Sequence, residues 1–146
     1  MTEAEAETRV VEQTLRIRAR PETVWCYLTD PGRMCEWWGA AAELDPQPGG
    51  TCVVEMGGGG VMRGKYVELV PHERIVFTFG WDPGTGARSI PPGSTIVEVT
   101  LTADDDDTIL ALRHTGMPPA VADEHRAGWA QFLPLLAAAA GGTDRT

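Results

Sequence analysis

Apolar and polar residues alternate in short bursts along most of this chain, and the period then lengthens to that of a helix. Val11, Leu15, Ile17 and Ala19 fall on odd positions with Glu12, Thr14, Arg16 and Arg18 between them. That period of two predicts a half-buried strand over Val10–Arg18. Cys52, Val54 and Met56 share one face of a second strand, and Val61–Val70 carries apolar residues on both faces. Ile75, Phe77, Phe79 and Trp81 form the cleanest one-sided row in the chain. Val97, Val99 and Leu101 mark a further strand, and Leu110, Leu112 and His114 share a face of the next. After Pro118 and Pro119, the residues Val121, His125, Trp129, Phe132 and Leu136 recur at spacings of four, four, three and four. This predicts a helix over Pro119–Ala140, about 33 Å long at roughly 1.5 Å per residue.

Punctuating residues set the remaining elements. Pro21 suits the first position of a helix, Glu22 complements its dipole, and Val24, Trp25 and Leu28 give it an apolar face. Asp30 as N-cap and Pro31 restart a second short helix that ends around Trp37-Trp38-Gly39. Gly57–Gly60, Pro71-His72-Glu73 and Asp104–Asp107 read as turns, and Asp82–Gly93 as a mobile loop. Pro134 lies inside the last helix, where a kink or early stop is expected, and Gly141 should end it. Residues 1–7 read as a disordered acidic tail, 8–141 as one domain and 142–146 as a flexible tail. The order, helices then strands then one long apolar helix, describes an α+β fold. An antiparallel sheet of six or seven strands curves around the C-terminal helix and encloses a cavity.

Composition narrows the partners. The 146 residues carry a formal charge of −9 and a hydrophobic content of 42%, as expected of one globular domain. An acidic surface disfavours nucleic acid and anionic lipid. No apolar run approaches the roughly 20 residues of a membrane span. The acidic N-terminus does not read as a signal peptide, so a cytoplasmic protein is expected. Cys26, Cys35 and Cys52 fit neither a disulfide framework nor a zinc site. The aspartates Asp104–Asp107 lack the spacing of a calcium loop, and no Gly-Lys-Ser/Thr follows Gly57–Gly60. No catalytic residue, cofactor or metal is assigned, and the oligomeric state is expected to be a monomer or weak homodimer.

The candidate site is the space between the helix face and the sheet. Val121, His125, Trp129 and Phe132 line it from the helix, and Phe77, Phe79 and Trp81 from the sheet, with Leu112 and His114 on the adjoining strand. His114 is expected to point inward, either to orient a ligand or, more simply, as a buried neutral histidine satisfied by backbone. His125 is placed to meet it. Trp37 and Trp38 are adjacent and so are expected on different faces, one in the core and Trp38 near the cavity mouth.

Several short motifs then occur in a telling order: Pro21-Glu22-Thr23-Val24-Trp25, Glu36-Trp37-Trp38-Gly39, Pro48-Gly49-Gly50, Gly64-Lys65-Tyr66, Pro71-His72-Glu73-Arg74-Ile75-Val76, Arg113-His114-Thr115-Gly116 and His125-Arg126-Ala127-Gly128-Trp129. Together they resemble the START-like, helix-grip superfamily (SRPBCC), and within it the branch named for activators of the heat-shock protein 90 ATPase. The resemblance covers about residues 8 to 140. It implies the helix-grip fold, and for small bacterial members it implies stand-alone ligand binding. The tryptophan pair and the Gly-Trp of the last helix also resemble self-resistance proteins for enediyne antibiotics, which bind a DNA-cleaving drug and are cut in the process. A sacrificial glycine near the penultimate hairpin belongs to that pattern, whereas the hairpin here, Ala103–Thr108, has none. The function expected is non-catalytic binding or sequestration of a small hydrophobic or aromatic ligand, with antibiotic self-resistance as its most concrete form. The alternatives are a polyketide cyclase or aromatase, for which Arg63, Tyr66 and His114 are the available set, and a co-chaperone.

Overall fold

The computed structural model describes residues 8–84 and 90–144. Strand β1 (Arg9–Ile17) is followed by two short helices, α1 (Pro21–Thr29) and α2 (Pro31–Met34). Strands β2 (Ala41–Leu44), β3 (Thr51–Glu55), β4 (Val61–Val70), β5 (Arg74–Phe79), β6 (Thr95–Asp104) and β7 (Asp107–Met117) follow, and helix α3 (Pro119–Asp144) closes the chain. The strands form one antiparallel sheet in the order β1-β7-β6-β5-β4-β3-β2, curved around α3. The expected tail 1–7 lies outside the described residues. Strand β2 carries too short an alternation, four residues with two half-buried, to stand out in the sequence; pairing with β3 makes it a strand.

Local chemistry explains the starts of both short helices. Proline opens each, and the Asp30 carboxylate accepts the Arg33 N–H at 3.0 Å, capping α2. The Asp104–Asp107 turn is bracketed by cations: Arg16 pairs with Asp104 and Asp107, and Arg20 approaches Asp106 at 3.7 Å. The loop after Trp81, expected to be mobile, is tied down at both described ends. The Trp81 backbone N–H donates to the Ile90 carbonyl at 2.7 Å, and Ile90 is fully buried. Residues 85–89 lie outside the described residues.

Register places the core. Tyr66 pairs with Phe77, Phe77 with Val97, Val97 with His114, and His114 with Val11, so one buried row crosses five strands. Helix α3 lies across this face. Its backbone runs closest to β1 and α1. Gln13 Nε2 donates to the Arg126 carbonyl at 3.3 Å, and the Tyr27 hydroxyl to the Ala139 carbonyl at 3.3 Å. Anchored along that side, the helix stands off from β4 and β5.

Pro134 does not stop α3, and Gly141 does not end it; the helix runs on to Asp144. Ala130 and Pro134 both lie on the exposed face, where the carbonyl that proline leaves without a partner is open to solvent. On the opposite face Leu133, Leu136 and Ala140 are buried and hold the helix in place. Among the described residues, no helix is long and apolar enough to cross a membrane.

Candidate functional site

The site begins with the turn after α2. Trp37 and Trp38 both bond back to the Met34 carbonyl, at 3.1 and 2.8 Å. Gly39, at φ +89°, then reverses the chain toward β2. Adjacent residues in such a turn are not bound to opposite faces, so the pair is not split as expected, although Trp38 does line the hollow. Both indoles are buried and stack on each other, with centroids 5.5 Å apart and planes 24° apart. The Trp37 N–H donates to the Tyr27 carbonyl at 2.9 Å, which fixes the pair. Trp38 then lies parallel to Phe79 at 6.3 Å and against Trp129 at 5.2 Å.

Two indole–imidazole pairs form the next layer. The Trp129 N–H donates to His114 Nδ1 at 3.1 Å, and an indole nitrogen can only donate, so Nδ1 carries no proton. The proton therefore sits on Nε2 and is donated to Thr95 Oγ1 at 2.8 Å; that hydroxyl in turn donates to the Phe79 carbonyl at 2.8 Å. His114 is fully buried and neutral, and burial, with the nearby His125 adding to it, pushes its pKa down to about 3. The second pair has the opposite tautomer. The Trp81 N–H donates to His125 Nε2 at 3.2 Å, and His125 Nδ1 donates to the Val121 carbonyl at 2.8 Å. The two imidazoles meet edge to face, 6.1 Å apart.

Between these pairs and the tryptophan turn lies a hollow of about 350 Å³. Trp38, Phe79 and Trp81 wall it from the turn and sheet, His125, Trp129 and Phe132 from the helix, with Met56, Glu124 and Gly128 completing the rim and floor. Deeper in the cup, among Phe77, Leu110, Leu112 and Leu133, only about 10 Å³ is free. The cavity expected between the helix face and the sheet is therefore confined to one end of the cup.

Six of the ten expected site residues gather at the hollow: Trp38, Phe79, Trp81, His125, Trp129 and Phe132. Phe77 and Leu112 belong instead to the packed floor. Val121 contributes its carbonyl to His125 rather than its side chain to the wall. His114 sits behind Phe79, centroids 4.5 Å apart, with both ring nitrogens taken by Trp129 and Thr95. It has no group left to orient a ligand, and its partners are side chains rather than the backbone expected. Met56, Glu124 and Gly128 were missed. Met56 shares its face with Cys52 and Val54; Gly128 interrupts the apolar helix stripe; Glu124 carries no signal of its own, since a charge on a helix usually marks a solvated face.

Among the described residues of the inner wall, the Trp38 indole N–H is left without a hydrogen-bond partner. Trp38 makes no hydrogen bond through it, and among the described residues no buried side-chain nitrogen or oxygen is left without a partner. Its N–H therefore keeps some exposure, and Trp38 lines the hollow. A second shallow depression of about 340 Å³ adjoins on the far side of Met56 and Phe132.

The set Arg63, Tyr66 and His114 is not assembled. Arg63 turns outward to Asp82 at 2.7 Å, and the Tyr66 hydroxyl donates to the Leu28 carbonyl at 3.2 Å, its pKa raised by burial. Burial likewise pushes the Cys52 thiol up to about 12. Among the described residues no three His, Cys, Asp or Glu side chains are placed to hold a metal.

A sheet gripping one long helix, with an aromatic hollow at the open end, defines the helix-grip class. Residues 18–141 match the family described as activator of Hsp90 ATPase homolog 1-like protein, and the chain belongs to that family. Among solved structures it resembles an AHSA1-like protein of Rhizobium etli at 37% identity and TM-score 0.72, covering 93% of this chain and 84% of that one. A protein of Mesorhizobium loti matches at 25% identity and TM-score 0.77, covering 94% and 99%. A protein of the dynemicin biosynthetic locus shares the fold at 24% identity and TM-score 0.74, covering 88% of this chain and 46% of that one. No curated protein matches.

Proposed function

We propose that this protein binds and sequesters a small apolar or aromatic molecule in the outer hollow, without transforming it. The observation that carries this is the hollow itself. Its volume of about 350 Å³ falls in the usual range of ligand sites, and five of its wall residues are aromatic. Two of the three indoles on the wall spend their N–H groups on histidines inside the protein, so they offer faces rather than donors. Binding would be driven by apolar burial at roughly 25 cal/mol per Å². Sequestration of an antibiotic is the concrete form we favour, supported by the likeness to the dynemicin-locus protein and by the tryptophan motifs.

The test follows the five tryptophan indole signals by NMR while polyketides, steroids and other flat apolar compounds are added. Selective shifts of Trp38, Trp81 and Trp129, with Trp25 and Trp37 unmoved, are expected. Silence of all five across the panel would reject the reading. Membership of the family supports a second reading, a co-chaperone acting through the outer surface. Capture of a chaperone that survives Trp129→Ala, with no indole response to any small molecule, would favour it.

A further inference from the structure

The charge around the hollow restricts the ligand further, on the premise that the hollow is a binding site. Among the described residues lining it, no lysine or arginine is present, and Glu124 is the single charged side chain. Glu124 is exposed at the rim and makes no ion pair among the described residues; the neighbouring cation on its helix, Arg126, is taken by Asp123. His114 is held neutral by burial. His114 and His125 each accept an indole N–H on one ring nitrogen and donate from the other, so neither has a ring N–H left for a guest. At the inner wall the Trp38 N–H offers one donor, which suits a neutral acceptor such as a carbonyl or ether oxygen. The walls between are aromatic faces, whose negative quadrupole also favours cations over anions.

We infer that the hollow selects a flat aromatic ligand bearing a positive or hydrogen-bond-donating group at the rim, and that it rejects anionic amphiphiles such as fatty acids. A carboxylate placed there would meet Glu124 with no compensating cation among the described lining residues. An ammonium there would pair with it. With the rim in water, one such charge interaction is worth about a fivefold change in affinity in each direction.

Three probes of one shape separate the possibilities: naphthylethylamine as cation, naphthylacetamide as neutral parent and naphthylacetate as anion, each titrated against the indole signals. We expect the amine to bind about fivefold tighter than the amide and the acetate about fivefold weaker, with the spread shrinking in high salt. Glu124→Gln should collapse the spread among the three probes. An acetate that binds as tightly as the amine, or a spread that survives Glu124→Gln, would overturn this inference and leave the binding site standing. Failure of all three probes to move Trp38, Trp81 and Trp129 would instead overturn the site together with its selectivity.

Discussion

The two ends of the gripped helix contrast sharply. At the inner end Phe77, Leu112 and Leu133 meet with almost no space between them. At the outer end Trp81, His125 and Trp129 face a hollow that would hold a small molecule. Strand β5 and the residues after it pass from one regime to the other: Phe77 is core, Phe79 is the boundary, and Trp81 is wall. The side chains do not grow smaller outward, so side-chain size alone does not open the site. The helix is tied to β1 and α1 along one side, and it presents Gly128 where a larger residue would fill the gap. The two indole–imidazole pairs hold the Trp81 and Trp129 indoles in place around the hollow.

The contrast can be broken at its solid end with the largest effect. Leu112→Ala should destabilise the fold by about 2–5 kcal/mol, as in other buried leucine truncations. Denaturant unfolding measures this, and the affinity of the outer hollow should stay unchanged in the folded fraction. If affinity fell in proportion to stability, the two ends would not be separate units.

A smaller effect sharpens it through pH. The His114 pKa is lowered from 6.5 to about 3 in the folded state. The unfolded chain therefore binds more protons between those values, and stability falls as pH falls. The folding equilibrium should weaken by about tenfold per pH unit across that window from this one group, and be unaffected above it. Acid unfolding of His114→Gln should lack that slope; an unchanged slope would show that His114 is free to charge while folded.

The smallest effect has the opposite sign. A Cβ at Gly128 would meet nothing within 4 Å. Gly128→Ala should therefore stabilise the helix by roughly 0.5–1 kcal/mol, while narrowing the hollow and weakening ligand binding. A rise in melting temperature with unchanged affinity would mean that the glycine serves no guest.

Much of the fold is legible in the sequence. The alternation of Val11, Leu15, Ile17 and Ala19, the proline starts at Pro21 and Pro31, and the helical spacing of Val121 through Leu136 each specify an element locally. The site was legible only in part. Periodicity tells which side chains face inward, and it placed Phe79, Trp81, His125, Trp129 and Phe132, which line the hollow, on inward faces. It does not tell which inward residues touch one another and which leave a gap, so Phe77, Leu112, Val121 and His114 were grouped with them. Met56, Glu124 and Gly128 escaped because an end-of-strand methionine, a helical carboxylate and a helical glycine become wall residues only through their neighbours.

The sequence by itself determined the elements, their order and the inward faces, because these follow from near-neighbour backbone and side-chain preferences. Tertiary structure alone decided where the grip closes and where it stays open, that Trp37 and Trp38 stack, and that the two histidines hold opposite tautomers. The physical reason is that a void is a small difference between large packed volumes. Its position depends on the docking of one helix against strands distant in the chain, and no local window contains that distance.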